Sequence, residues 1–272
     1  MSLNDFTSNL ELKDGIWFSS DVKKISYPKA GNDAYYQVEE NSFWFKHRNN
    51  CIVELLSRFP PNGAIFDVGG GNGFVSKRIQ SEGYEAVLVE PGIAGVLNAK
   101  RRNLKNVICS TLEGVKAESN SLPAIGVFDV VEHLPDDMAF LKTAYELLVE
   151  GGKIYITVPA YNTLWSQDDV DAGHYRRYTI KSINKKLQSL NFEIEFSTYM
   201  FSILPFPIFL FRTIPSLFSK KSNSPDKHSN IQEDHIQDNK LLERIWWWEL
   251  SRVKKLTKIP FGSSCLLVAS KK

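Results

Sequence analysis

One stretch limits the fold more than any other: Asp67-Val-Gly69-Gly-Gly71-Asn-Gly73, which begins within the run Ala64–Val68 and carries it straight into the glycines. Ala64–Val68 is predicted to be a buried strand and Phe74–Ser81 the helix after it. Glycines between the two let the backbone turn tightly and approach a ligand with no Cβ in the way. The free N–H groups of the helix then point into the turn. The next predicted strand, Glu85–Glu90 (EAVLVE), ends in an acid and is stopped by Pro91-Gly92. A carboxylate at Glu90 can accept both hydrogen bonds of a ribose diol.

The alternation continues along the chain. Ile93–Arg102 and Asp136–Val149 read as helices, the second ended by Gly151-Gly152. Asn106–Ser110, Ile125–Val131 and Lys153–Val158 read as strands. Thr179–Leu190 is a helix that Thr179 could cap, and Phe192–Tyr199 and Ser264–Ser270 are further strands. Strands separated by helices of this length imply parallel pairing with right-handed crossovers, hence an α/β, doubly wound sheet. Ligands bind such sheets just beyond the carboxyl ends of the strands.

Outside this core, Phe43–Phe59 reads as a helix preceding the first strand. Met200–Phe218 is apolar and broken by Pro205, Pro207 and Pro215. Ser219–Lys240 is polar and reads as a mobile loop, and Leu241–Leu256 returns to a helical pattern carrying Trp246, Trp247 and Trp248. The expected organisation is a cover segment over residues 1–60 and one ligand-binding domain over 61–272, with an inserted stretch at 200–256.

With 33 basic and 31 acidic residues the formal net charge is +2, which argues against a general electrostatic grip on nucleic acid. Cys51, Cys109 and Cys265 are far apart and odd in number, so buried free thiols are expected. Met1–Lys13 lacks the apolar stretch of a signal peptide. A cytoplasmic location follows as an expectation.

A glycine turn with a distal acid also suits NAD, and spacing separates the two readings. In the dinucleotide fingerprint G-x-G-x-x-G, the last position counted from Gly69 is Phe74, and counted from Gly71 it is Ser76. Neither register fits. The pattern acidic-x-G-x-G-x-G resembles motif I of the class I S-adenosylmethionine (SAM)-dependent methyltransferases. That resemblance implies a Rossmann-like sheet, mostly parallel and seven-stranded, with an antiparallel last strand. It also implies that Asp67, Gly69, Gly71 and Gly73 line the methionine side of SAM and that Glu90 takes the ribose hydroxyls. After the third strand, where the family commonly has an acid near adenine, this chain has Thr111 and Leu112, with Glu113 nearby.

Phe128-Asp129-Val-Val-Glu132-His133-Leu-Pro135-Asp136 resembles the segment that runs beside the methyl donor in small-molecule methyltransferases, including the ubiquinone-biosynthesis type. By that resemblance Phe128 and Asp129 line the donor, and His133 is the best-placed base, with Glu132 or Asp129 orienting it. Two other readings stay open. His133 could tether the loop before the next helix, or Asp129, Glu132 and His133 could share a divalent metal. The site as assigned contains no metal.

A second dense stretch runs from Trp165 through Asp168, Asp169, Asp171, His174, Tyr175, Arg176, Arg177 and Tyr178 to Thr179. Its Gly-His-x-Arg-Arg-Tyr-Thr string resembles a subgroup of class I methyltransferases that also shows Ser42-Phe-Trp-Phe45…Arg48-Asn49 upstream and a Pro260-Phe-Gly-Ser-Ser264 ending. His174 is a second base candidate. Trp165, Arg176, Arg177 and Tyr178 are candidates for the acceptor. The arginines could hold a phosphate or carboxylate, or could pair internally with Asp168, Asp169 and Asp171.

Phe43–Phe45 could cover SAM or simply pack. Met200–Phe211 is too short and too proline-broken to span a membrane. With the tryptophans it could form an apolar substrate lid, a peripheral membrane contact or a homodimer surface, or the two segments could close on each other. The leading expectation is a SAM-dependent methyltransferase acting on a small-molecule or lipid-linked acceptor at oxygen, nitrogen or carbon. A silent SAM-binding module or complex subunit is the rival from another class.

Overall fold

A computed structural model of the chain describes residues 9–20, 36–218 and 240–272. The predicted mobile loop at 219–240 therefore lies, but for Lys240, outside the described residues. The strands are β1 (Leu10–Lys13), β2 (Ile16–Ser19), β3 (Ile65–Val68), β4 (Ala86–Val89) and β5 (Asn106–Cys109). They continue with β6 (Leu122–Phe128), β7 (Leu148–Pro159), β8 (Phe192–Met200) and β9 (Ser264–Lys271). Together they make one nine-stranded sheet in the order β1-β2-β5-β4-β3-β6-β7-β9-β8.

The middle of this order is parallel: β3 pairs with β4 and β6, β4 with β5, and β6 with β7. β3 and β4 are buried at every position. That fits sequences that are apolar but for Asp67, since a strand covered by helices on both faces has no polar side. From β3 the chain winds outward in one direction through β4 and β5. It then returns to β6 and winds in the other, so the direction reverses at the carboxyl ends of β3 and β6. A crevice is placed there by topology alone. β9 is antiparallel to both neighbours, as expected of the last strand.

Three expectations are corrected. The sheet has nine strands rather than seven, because the N-terminal segment contributes a hairpin, β1–β2. β2 adds in parallel to β5 through Trp17↔Ile108 and Phe18↔Cys109 and covers what would otherwise be an open sheet edge. Residues 10–19, within the expected cover segment, thus form part of the sheet. The strand expected at Ile125–Val131 is instead β6, ending at Phe128. The Asp129 N–H closes the ladder on the Thr157 carbonyl at 2.9 Å, and its φ of +57° turns the chain away into a 3-10 turn at Val131–His133. The three cysteines are free and buried, as expected.

Helix Phe43–Arg58 and helix Lys240–Lys254 pack on one another. Phe43 stacks on Trp246 at 4.4 Å and Trp44 on Phe201 at 5.2 Å. Glu249, fully buried, lies 2.9 Å from His47 Nε2 and accepts hydrogen bonds from the Phe201 and Ser202 N–H groups and the Ser202 hydroxyl. The apolar segment after β8 and the tryptophan helix are therefore joined through one carboxylate. Burial alone would raise the Glu249 pKa, but His47 and Ser202 outweigh it and hold it below the usual range. Its contribution to stability is thus full above the ordinary carboxylate range and is lost as pH falls through the depressed value. Replacing Glu249 with alanine should cost about 3 kcal/mol in urea unfolding at neutral pH, the scale for breaking a buried ion pair. Glu249→Gln should cost less.

Candidate active site

The glycine turn takes the shape its sequence requires. Gly73 precedes helix Phe74–Ser81 with φ +72°, and a Cβ there would stand 2.5 Å from Leu104 Cδ1 and 2.9 Å from Ala99 Cβ. Gly71 has φ +53° and open space where its Cβ would be, so its backbone faces the crevice bare. Glu90 holds the turn: its carboxylate accepts from Gly71 N–H at 3.0 Å and from Gly92 N–H at 2.6 Å. Burial raises its pKa in spite of both bonds.

Asp67 is completely buried. Its Oδ2 accepts from the Ser76 hydroxyl at 2.6 Å, while Oδ1 has no hydrogen-bond partner among the described residues. Burial pushes its pKa up to about 6, the Ser76 bond and nearby Arg48 opposing. Thr111 is half-buried and its hydroxyl caps Gly114 N–H at 3.1 Å. Leu112 is buried in the main core and Phe128 in a second core cluster under helix Phe43–Arg58.

The segment after β6 lies against the glycine turn, since a Cβ on Gly69 would stand 2.8 Å from Val130 Cγ2. Asp129 makes a 2.5 Å ion pair with Arg48. That guanidinium is itself buried and lies over the Trp44 and Phe45 rings at 4.9 and 5.2 Å. Beyond it, His133 and His174 meet edge to face with ring centres 4.6 Å apart, so the two histidines of the sequence reading share one site. Burial, then the second imidazole, push the His133 pKa down to about 4, which leaves it neutral at pH 7. Glu132 is 1% exposed, and its Oε2 has no hydrogen-bond partner among the described residues. Burial, then the Asp129 charge, raise its pKa well above the usual range.

Helix Gln167–Asp171 positions His174. Ser166 and Asp169 form its capping box, and Asp169 Oδ1 binds His174 Nδ1 at 2.8 Å. Arg177 grips the same carboxylate with two prongs, Nε–Oδ1 at 2.7 Å and Nη2–Oδ2 at 3.0 Å. Burial opposes ionisation of Asp169, yet His174 and Arg177 prevail and bring its pKa down to about 2. Arg176 pairs with Asp137 at 3.1 Å and donates to the Pro135 carbonyl at 2.7 Å. Tyr178 is 2% exposed and donates to Asp137 Oδ2 at 2.7 Å. The structure thus gives Arg176 and Arg177 internal partners and gives the Tyr178 hydroxyl no open face. Trp165 remains half-buried.

Sequence reasoning did not single out Arg48, Glu39 or Arg102 as site residues. Arg102, buried, donates to Glu39 at 2.7 Å, to the Asn72 carbonyl of the glycine turn at 3.1 Å and to the Tyr36 carbonyl at 3.0 Å. The N-terminal segment is thereby pinned to the ligand turn. Arg48 falls in the Ser42-Phe-Trp-Phe45…Arg48-Asn49 pattern, whereas no motif marked Glu39 or Arg102.

Apolar side chains stay exposed elsewhere, among them Phe206 (66%), Phe211 (74%) and Trp247 (73%). Among the described residues no helix is long and apolar enough to cross a membrane.

The Asp67 carboxyl makes the site pH-dependent in a defined direction. Its folded-state pKa of about 6 exceeds its ordinary 3.8, so between those values the folded chain keeps a proton the unfolded chain has lost. Stability therefore falls as pH rises through that window. Urea midpoints measured from pH 4 to pH 7 should show this decline in the wild type and a flatter profile in Asp67→Asn.

Comparison with known proteins agrees with this geometry. A family model described as a methyltransferase domain matches residues 18–195. The ubiquinone biosynthesis O-methyltransferase of Xanthomonas axonopodis pv. citri is 27% identical over 117 residues, covering 40% of this chain and 49% of that protein. The chain thus aligns with about half the length of this relative. Among solved structures, phosphoethanolamine N-methyltransferase 2 of Haemonchus contortus, in complex with SAM, has a TM-score of 0.56 at 19% identity. It covers 91% of this chain and 58% of its own. A SAM-dependent methyltransferase of Thermotoga maritima has a TM-score of 0.55 at 16% identity, covering 90% of this chain and 97% of its own. These likenesses establish the Rossmann-like class I fold, and with the match over residues 18–195 the chain belongs to the methyltransferase-domain family.

Proposed function

We propose that the chain is a SAM-dependent methyltransferase whose acceptor is a small molecule bearing a hydroxyl, received beside His133 and His174. One observation supports this reading above the others. His133 stands on the turn that packs against Gly69, and its ring meets that of His174, so an acceptor held beside them borders the glycine crevice.

The residues of the turn fit the methyl donor. Gly71 presents bare backbone to the crevice, Glu90 follows β4 with a carboxylate that can accept further bonds, and Asp67 keeps an oxygen unpartnered among the described residues. The donor supplies, when bound, an electrophilic methyl group on a positively charged sulfur. Glu90 would take the ribose hydroxyls, Asp67 with Gly69, Gly71 and Gly73 the methionine side, and Thr111 the adenine side. Phe128 and Leu112 would act from beneath as packing.

Toward the acceptor, His174 is held by Asp169 through Nδ1, which leaves Nε2 for a hydroxyl. Alignment of nucleophile and methyl carbon is itself a large part of such catalysis.

Isothermal titration with S-adenosylhomocysteine tests the donor half. Micromolar binding, weakened at least about tenfold by Glu90→Ala, is the expected result given the loss of charge-assisted bonds. No binding, or preference for NAD, would overturn the reading. For the acceptor half, methyl transfer to a panel of hydroxyl compounds should fall about a hundredfold in kcat for His174→Ala, with S-adenosylhomocysteine affinity unchanged.

A further inference from the structure

We propose that Glu132, His133 and His174 form a binding site for a divalent transition-metal ion of the zinc type. One donor atom from each of the three residues lies within 4.8 Å of the others. Zinc holds imidazole nitrogen and carboxylate oxygen at about 2.0–2.2 Å, so modest side-chain rotation closes the set around an ion. Two imidazoles and one carboxylate leave coordination positions open, the pattern of reactive rather than purely structural sites.

Three further observations point to an ion. Glu132 is 1% exposed and its Oε2 is unpartnered among the described residues, a costly state for a buried carboxyl oxygen. His174 has its Nδ1 fixed by Asp169, whose second role is to bind Arg177. A carboxylate behind a ligating imidazole is the usual outer support of a metal site. The two halves are also tied together in register, because the Tyr175 N–H donates to the Glu132 carbonyl at 2.8 Å. His133 is backed by the carbonyls of Ala172 and Gly173 on the same loop.

This ligand set revises the sequence expectation twice. The site was assigned no metal, and the alternative trio was Asp129, Glu132 and His133. Asp129 is committed to Arg48, and His174, distant in sequence, takes its place. Only the role of the ion rests on the proposed methyl transfer, in which it would take the His174 nitrogen assigned above to the hydroxyl and hold the acceptor oxygen in that nitrogen's stead. The ion site stands on the three side chains alone.

The test uses the full chain, stripped with a chelator and titrated with Zn²⁺ by calorimetry and with Co²⁺ by visible absorption. The expected result is one ion per chain at micromolar affinity or tighter, with a Co²⁺ d–d spectrum. Glu132→Gln and His174→Ala should each weaken binding at least about tenfold, and Asp169→Asn about tenfold by loosening the imidazole. Circular dichroism of each variant separates lost ligation from lost folding, and Asp169→Asn serves where either ligand variant unfolds. No saturable binding of Zn²⁺ or Co²⁺ below millimolar concentration, or binding indifferent to all three substitutions, would overturn the proposal. S-adenosylhomocysteine titration of the same samples reads the methyl-donor site separately, so an absent ion site leaves that reading standing.

Discussion

Arg48 is the cation around which the site is assembled. Glu39, Asp67 and Glu132 all feel its charge, and Asp129 pairs with it directly at 2.5 Å. Four acids around one buried guanidinium cannot all be ionised at low cost, since each uncompensated buried charge carries a desolvation penalty of several kcal/mol. Glu39 has a second partner in Arg102. Burial raises the Asp67 pKa to about 6 and, with the Asp129 charge, the Glu132 pKa well above the usual range. A positively charged sulfonium donor beside these acids would ease the same excess of negative charge.

The sheet explains why these acids converge. Asp67 lies in β3 and Asp129 just past the end of β6, and these two strands are neighbours with Asp67 in register with Gly126. Winding outward from β3 in both directions puts their carboxyl ends side by side with no crossover above them. The helix that carries Arg48 comes before β3 in the chain, and Trp44 and Phe45 on it flank the guanidinium. Aromatic faces there attract the cation and keep water away, which strengthens the Asp129 pair. Glu39 and Arg102 complete the closure by fixing the preceding segment to the glycine turn.

What could be read from the sequence was what depends on near neighbours. The strand–turn–helix around Gly69–Gly73 and the acid at Glu90 follow from local backbone demands and lie within one βαβ unit. Helix Phe74–Ser81 and the cap at Thr179 coincide with the observed elements. The strand predicted to run through Val131 was misjudged because its apolar residues continue past the point where Asp129 takes a left-handed conformation, and apolar patterning is blind to φ. β1 and β2 escaped notice because a four-residue strand has little periodicity, and it is the exposed edge of β5 that gives β2 its reason to exist. The nearness of His133 and His174, like that of Arg48 and Asp129, arises from tertiary packing across long sequence separations. Composition shows the residues, but only the fold shows which of them meet.

The Gly-His-x-Arg-Arg-Tyr-Thr string shows why residue type alone does not assign a role. Its charges suggested anion recognition, yet most serve to position one imidazole. Arg177 locks Asp169, whose pKa His174 and Arg177 hold down to about 2, so it is ionised at neutral pH and orients His174. Asp137 gathers Arg176, Tyr178 and Lys186 in the same manner, anchoring the other end of the string to the helix that follows the Glu132–His133 turn. Asp137 is thus shared between cations and a donor from separate segments, and that sharing fixes the distance between those segments. His174 can then be mounted on an otherwise irregular loop and still face His133, because the loop is braced at both ends. The precision of the site therefore comes from ion pairs outside it.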